Sequence, residues 1–163
     1  AIIAQALALN PKLLIADEPV TALDVVTQGK IIELLKRLQK ELNLSVLFIT
    51  HDLSVIAEIS DRIGIMYAGN IVEIGNVVSV FKESLHPYTA KLIGAFPSII
   101  GDKKPLQFIP GAPPDLASPP KGCKFNPRCP YAKEICRREI PQLKEVEKGH
   151  FAACHFSGEL DLR

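Results

Sequence analysis

The stretch LLIADEP at residues 13–19 decides the fold class that this sequence predicts. It is a short apolar run that ends in two adjacent carboxylates, Asp17 and Glu18, as buried strands of parallel sheets do. Open α/β sheets bind their ligands at the carboxyl ends of such strands. Because neighbouring strand residues point to opposite faces, one carboxylate can hold Mg²⁺ while the other orients a water molecule. Taken alone, a strand-end acid is more often a solvated loop residue or a helix cap.

Helix and strand patterns alternate after this stretch. Apolar residues recur at helical spacing over 27–42, and residues 45–50 form a second buried-strand candidate. A short helix is predicted at 53–59. The segments 62–67 and 70–74 flank an Ala-Gly-Asn turn, which predicts a β-hairpin. The pattern therefore indicates an α/β fold with an antiparallel edge.

Proline separates the second part of the chain from the first. Eleven of the 13 prolines lie at or after Pro87, and this density excludes long helices and central strands there. We therefore predict an irregular, cysteine-bearing tail, with a boundary near 84–86 or 97–105.

The overall composition is that of an ordinary globular chain. Of the 163 residues, 47% are hydrophobic and 23% are charged, which excludes a disordered or collagen-like protein. The net charge of +1 gives no global field that would recruit nucleic acid or anionic lipid. No apolar run is long enough to predict a membrane span. The chain starts without Met in a helix-like pattern, so we expect a fragment that lacks its N-terminal part.

A histidine follows the second predicted strand. The sequence FITHD at residues 48–52 places His51 at the same sheet edge as Asp17 and Glu18, since both strands are expected to run in parallel. The alternative is that His51 merely precedes a helix whose N-cap is Asp52.

These motifs, in this order, resemble those of ABC-type ATPases. Residues 13–19 are similar to the Walker B strand with its catalytic glutamate, residues 22–24 to the D-loop, and His51 to the switch histidine. Val20 stands where many members of that group carry Thr, a small departure that puts nothing central in doubt.

Three further segments narrow the resemblance. YAGNIVEIG at 67–75, LHPYT at 85–89 and IPGAPP at 109–114, with the cysteine-rich tail, are similar to the ATP-binding subunits of oligopeptide/dipeptide importers. The resemblance implies the C-terminal part of a P-loop NTPase (ABC ATPase) sheet with a β-hairpin over residues 1–84. It implies an irregular Pro- and Cys-rich metal-cluster domain over residues 85–163.

The resemblance also implies a role for each motif residue. Asp17 would support Mg²⁺, Glu18 would position or deprotonate the hydrolytic water, His51 would contact the γ-phosphate of ATP, and Asp24 would couple two subunits. The partners would be a second ATPase subunit, in a homo- or heterodimer, and membrane permease subunits, but no nucleic acid. The protein would lie peripherally on the cytoplasmic face of the cell membrane and drive the uptake of peptides.

Two family motifs are absent from the sequence. There is no G-x-x-x-x-G-K-[ST] loop to cradle phosphates, and the family's Ser- and Gly-rich signature segment should lie just upstream of Ala1. We therefore predict that this fragment alone neither binds ATP tightly nor hydrolyses it.

All four cysteines lie in the tail, in the pattern C-x₅-C-x₆-C-x₁₇-C. Two disulfides would need an oxidising compartment, which conflicts with an ATPase that uses cytosolic nucleotide. Metal ligation is the better interpretation, although the tight C-x₂₋₄-C pair that is usual for zinc is absent. The family resemblance implies a [4Fe-4S] cluster, with zinc as the alternative. The ligands would be Cys123, Cys129, Cys136 and Cys154.

Two rival functions stay open from the sequence. One is an autonomous Cys₄ metal-binding (zinc or iron–sulfur) regulatory or nucleic-acid-binding module, suggested by six cations between Lys121 and Arg138. The other is an ABC-type ATPase of DNA maintenance, which the hairpin and the His86-Pro87-Tyr88 segment argue against. We assign His86 and Tyr88 to packing and to the start of a helix, with no chemistry.

Overall fold

Two parallel strands and three helices form the first part of the computed structural model, which describes residues 2–95 and 108–162. The strands β1 and β2 pair in parallel, with Asp17 opposite Ile49. The predicted α/β alternation is therefore confirmed. The elements are α1 (Ile2–Leu7), β1 (Leu13–Asp17), α2 (Val25–Glu41), β2 (Ser45–Ile49) and α3 (Leu53–Ile59).

One face of this sheet carries the core of the first part. Leu14 packs with Leu35 and Leu44, and partly buried apolar residues of all three helices contact this cluster. Val20, Ile32 and Val55 form a second cluster beside it. Because burial of one such side chain stabilises a fold by about 1.5–3 kcal/mol, these clusters hold β1 in place.

The other face of the sheet is exposed. Leu13, Ile15, Leu47 and Ile49 are each 44–60% exposed. The prediction that both strands are buried therefore holds for one face of the sheet only. Helices α1, α2 and α3 pack on the Leu14 side, and no described residue covers the other side.

A four-stranded antiparallel sheet organises the second part. Its strand order is β3-β4-β6-β5, so the predicted hairpin β3–β4 is joined by two strands from near the C-terminus. The elements are β3 (Arg62–Tyr67), β4 (Asn70–Asn76), α4 (Val77–Lys82), α5 (Pro87–Gly94), a 3₁₀ turn (Asn126–Arg128), α6 (Glu134–Arg138), β5 (Lys144–Glu147) and β6 (His150–Ala152).

The prediction of an irregular tail is therefore wrong for residues 144–152, which form two strands of this sheet. Strands β5 and β6 have only four and three residues, and three of the four in β5 are charged, so they show too little alternation to be recognised. Gly149 turns the chain between them with φ of +74°. Gly75 lets β4 approach β6, because a Cβ atom there would lie 2.8 Å from the His150 ring.

Contacts divide the chain into two units, Ala1–Ser60 and Asp61–Arg163. The predicted boundary near 84–86 lies inside the second unit, and the alternative at 97–105 lies outside the described residues. The division into domains 1–84 and 85–163 stays a prediction. Among the described residues, no helix has the length and apolar character needed to cross a bilayer.

Candidate functional site

The structure brings Glu18 and His51 together at the carboxyl end of the parallel sheet. The Glu18 backbone N–H donates to the Ile49 carbonyl at 2.8 Å, and a φ of +44° turns the chain sharply after β1. Glu18 Oε1 lies 2.9 Å from His51 Nδ1, and the Thr21 hydroxyl donates to Oε2 at 2.8 Å. Two strand ends and one turn thus position a single carboxylate–histidine pair.

These contacts fix the charge of Glu18. The hydrogen bond from His51, followed by the one from Thr21, holds the pKa of Glu18 below its usual range. Because a carboxylate accepts hydrogen bonds, Nδ1 is the protonated nitrogen in this pair. The ring of His51 is 78% exposed, so its Nε2 atom is accessible from solvent.

The two predicted site aspartates, Asp17 and Asp24, have different surroundings. Asp17 is the exposed last residue of β1, and no described side chain forms an ion pair with it. Its free carboxylate therefore suits Mg²⁺, which prefers oxygen ligands. Asp24 instead caps α2, since it accepts hydrogen bonds from the Thr27 backbone N–H at 3.0 Å and from the Thr27 hydroxyl at 2.6 Å. The side-chain contact is the main cause of its lowered pKa.

Helix capping explains several polar residues near the site. Asp52 accepts from the Ser54 backbone N–H at 2.9 Å and starts α3, so the N-cap predicted there is confirmed. Sequence reasoning missed the capping role of Asp24, although an acidic residue before a helical pattern is a usual signal. It also missed Thr21, whose contact with Glu18 depends on the turn between them.

The four cysteines line one cavity in the second unit. The cavity measures about 20 Å³, and all four thiols are free. Burial raises the pKa of Cys123 and Cys129, and it raises that of Cys154 to about 11. The Cys123 backbone N–H donates to the Cys136 carbonyl at 2.8 Å, which brings two of the cysteine backbones side by side.

The predicted metal centre is not supported. Within the described residues, no group of three or more His, Cys, Asp or Glu side chains is arranged to hold a metal ion. A cavity of about 20 Å³ has room for about one water molecule, whereas a [4Fe-4S] cluster brings four iron and four sulfide atoms. The described structure therefore gives no support to the [4Fe-4S] cluster or zinc that we predicted at Cys123, Cys129, Cys136 and Cys154.

His86 and Phe125 pack against the thiol cavity. The side chain of His86 is 1% exposed, its Nδ1 accepts from the Tyr88 backbone N–H at 3.0 Å, and burial lowers its pKa to about 4. It therefore starts α5 as a neutral residue, and the assignment to packing and helix start is confirmed. Phe125 is 1% exposed, with its ring 5.2 Å from that of Tyr67 and 5.5 Å from that of Tyr88.

Sequence reasoning missed two long-range anchors of the second unit. Arg128 donates to the carbonyls of Pro110 at 2.8 Å and Gly111 at 3.1 Å, so it holds part of the proline-rich segment. Glu73 is fully buried and accepts from the backbone N–H groups of Leu85 at 2.8 Å and His86 at 3.0 Å.

Glu73 also contacts a residue close to the C-terminus. Its Oε1 atom lies 2.8 Å from Nε2 of His150, which is 2% exposed. No local pattern signals this pair, because the two residues are 77 positions apart.

The fold and the site together define an α/β protein with a carboxylate–histidine pair where parallel strands end. Residues 72–136 match the family model described as oligopeptide/dipeptide transporter, C-terminal region. The resemblance to this family that the motifs predicted is therefore confirmed.

Relatives of known name agree with this assignment. The chain is 46% identical over 158 residues to the dipeptide transport ATP-binding protein DppD of Caldanaerobacter subterraneus, with 97% of this chain and 48% of the relative covered. It is 49% identical over 156 residues to the oligopeptide transport ATP-binding protein AppF of Bacillus subtilis, covering 94% and 47%. The chain thus spans about half the length of these relatives.

A third relative and one solved structure are also similar. The oligopeptide transport ATP-binding protein OppD of Escherichia coli is 49% identical over 152 residues, covering 93% of this chain and 45% of the relative. The structure of cbiO1 from Clostridium perfringens, part of the ABC transporter complex cbiONQ, is 34% identical with a TM-score of 0.47. The match covers 55% of this chain and 36% of that one.

Proposed function

We propose that this chain carries the hydrolytic edge of the ATP-binding subunit of a peptide ABC importer. The observation that carries the proposal is the 2.9 Å contact between Glu18 Oε1 and His51 Nδ1 at the ends of adjacent parallel strands. The names of the relatives support the transport of dipeptides or oligopeptides as the process that the subunit energises.

Glu18 is the residue that handles the attacking water. Its lowered pKa keeps it a carboxylate at neutral pH, so it can accept a hydrogen bond from that water and orient it. Phosphoryl transfer depends mainly on positioning and on charge stabilisation, and a fixed carboxylate supplies the first of these.

His51 is positioned by Glu18 for contact with the γ-phosphate. The hydrogen bond at Nδ1 sets the orientation of the ring, as a carboxylate partner commonly does for functional histidines. Asp17, exposed next to Glu18, would hold Mg²⁺, which neutralises phosphate charge when it is bound.

Asp24 and the surrounding helix start belong to the proposed subunit contact. Because Thr27 binds both oxygens of Asp24, the carboxylate is held in one orientation at the start of α2. We infer that it faces a second ATPase subunit, in a homo- or heterodimer. Permease subunits would hold this pair at the cytoplasmic face of the cell membrane.

The chain by itself is expected to be inactive. Its sequence contains no loop of the phosphate-cradling type, so Glu18 and His51 have no bound triphosphate to act on. We assign no step to a metal group at the cysteines, because no described group of side chains is arranged to hold a metal ion.

The test is the Glu18→Gln variant of the full-length subunit. We expect ATP hydrolysis to fall by roughly 10²–10⁴-fold, as is typical when a positioned base is lost, while ATP binding is retained. The matched control is Glu33→Gln, which removes the same charge from an exposed position on α2. Hydrolysis that is equal in the two variants would show that Glu18 does not handle the water.

A further inference from the structure

A second cleft lies in the second unit, away from the thiol cavity. It has a volume of about 450 Å³, within the range of small-ligand pockets. It is lined by Arg62, Asn76, Ser79, Lys148, His150 and Phe151. The cleft belongs entirely to the unit Asp61–Arg163, so nothing about it depends on the proposed ATPase site.

The charged residues that line the cleft are both cations. Arg62 and Lys148 are both exposed, and neither forms an ion pair with a residue in the described part of the chain. No carboxylate is among the lining residues. Glu145, which is close along the chain, has its Oε1 bound to the Gly149 backbone N–H at 2.7 Å. The two cations therefore form no ion pair with a described acid, although the carboxylate of Glu145 lies at the edge of the cleft that Gly149 lines.

The neutral residues of the cleft add hydrogen-bond donors. Asn76 accepts from the Val78 backbone N–H through Oδ1 at 2.9 Å, which leaves its amide N–H₂ group as a donor. Ser79 is half-buried, and its hydroxyl is a hydrogen-bond donor. A guanidinium, an ammonium, an amide and a hydroxyl are the donor set that proteins use for phosphate oxygens.

One wall of the cleft is rigid. His150 is 2% exposed and is held by its 2.8 Å contact with the fully buried Glu73. The ring also packs against the backbone of Gly75 at a distance that excludes any larger residue. A wall that does not move lowers the entropy lost when a ligand binds.

We propose that this cleft binds a phosphate-bearing ligand. The anion contacts Arg62 and Lys148, and the amide of Asn76 and the hydroxyl of Ser79 orient it. A volume of about 450 Å³ leaves room for a phosphate ester, such as that of a small metabolite or a lipid headgroup.

The experiment is an NMR titration of the isotope-labelled chain with inorganic phosphate as the probe. Sodium chloride at equal ionic strength is the reference, because screening alone also shifts signals near charges. We expect saturable shifts at the Asn76 side-chain amide and at the backbone amides of Ser79 and Gly149. Shifts that do not saturate, or that chloride reproduces, would overturn the proposal.

Two double variants test whether phosphate binding depends on the cations of this cleft or on exposed cations in general. Arg62→Gln with Lys148→Gln should weaken phosphate binding at least tenfold. Arg37→Gln with Lys40→Gln removes the same charge from exposed positions on α2 and should leave it unchanged. An equal loss in both double variants would overturn the proposal. Ser79→Ala, which keeps both cations, should weaken binding severalfold and provides a second test.

Vesicles then identify the source of the phosphate. Binding to phosphatidylcholine vesicles that contain phosphatidic acid, with loss in the Arg62→Gln and Lys148→Gln variant, assigns a lipid headgroup. Binding of free phosphate without vesicle binding assigns a soluble phosphate ester. Signals of His51 report the proposed ATPase site separately, so shifts confined to His51 would contradict the cleft and leave the proposed function intact.

Discussion

The strand-end pair of Glu18 and His51 and the thiol cavity are opposite kinds of environment. Glu18 and His51 are exposed, charged or polar, and held by short hydrogen bonds. The thiols are partly or fully buried, and burial raises the pKa of three of them, so they stay protonated at neutral pH. Glu18 and His51 thus form a hydrogen-bonded polar pair at the surface, whereas the thiols lie among packed side chains, and burial keeps three of them protonated.

The largest effect is expected where the strand-end pair is broken. In the full-length subunit, His51→Ala removes both the main contact that lowers the pKa of Glu18 and the proposed γ-phosphate contact. We expect hydrolysis to fall by roughly 10²-fold or more. NMR titration should show that the pKa of Glu18 is closer to the ordinary range. Glu18 would then become protonated at a higher pH than in the unchanged protein.

The control for this change is Asp52→Asn, which keeps a capping side chain one residue away. Its hydrolysis rate and its Glu18 titration should match those of the unchanged protein. An unaltered Glu18 pKa in His51→Ala would show that the contact at 2.9 Å does not exist in solution.

The second prediction concerns stability around the thiol cavity, which depends on packing. Phe125 is 1% exposed and contacts the rings of Tyr67 and Tyr88. We expect Phe125→Ala to lower the free energy of unfolding by about 3–5 kcal/mol, measured by denaturant titration. Phe108→Ala is the control, since that ring is 79% exposed and its removal should have little effect. Equal losses in the two variants would contradict the packing role.

The fold of the first unit follows from local patterns, which is why the sequence predicts it. The apolar run of β1 and the helical spacing of α2 are signals within a few residues. The position of Glu18 beside His51 follows from strand ends meeting at one edge, a rule that needs only the strand order. The capping of α3 by Asp52 is local as well.

Long-range contacts set the limits of sequence reasoning in the second unit. Glu73 and His150 meet through the pairing of β4 with β6, and nothing within either segment signals the partner. The clustering of four cysteines predicted that they come together, and they do line one cavity. Whether thiols meet as metal ligands or as packed side chains depends on distances that spacing along the chain does not determine.

A smaller effect distinguishes the thiols by their reactivity. The pKa of Cys154 is about 11, raised chiefly by burial, so its thiolate fraction at pH 8 is roughly 100-fold below that of an ordinary thiol. We expect iodoacetamide to modify Cys154 correspondingly slowly in the folded chain and rapidly after denaturation, as measured by mass spectrometry. Fast modification of the folded chain would show that this thiol is exposed or ionised.

The same shift has a consequence for stability. Because the folded state keeps the proton that the unfolded state loses, stability from this group is present below the ordinary thiol pKa. This contribution of Cys154 to the free energy of unfolding is lost as the pH rises through about 11. Replacing Cys154 with Ala should remove that alkaline loss.

The smallest expected effect is on stability, at the start of α3 in the first unit. Asp52 accepts from the Ser54 backbone N–H and hydroxyl, which satisfies a donor that the first turn of α3 leaves free. Asp52→Ala should therefore lower the free energy of unfolding by about 1 kcal/mol. Asp52→Asn should change it far less, since Asn caps nearly as well. A loss of several kcal/mol in Asp52→Ala would mean that Asp52 supports the neighbouring His51 directly, and hydrolysis in the full-length subunit would then fall with it.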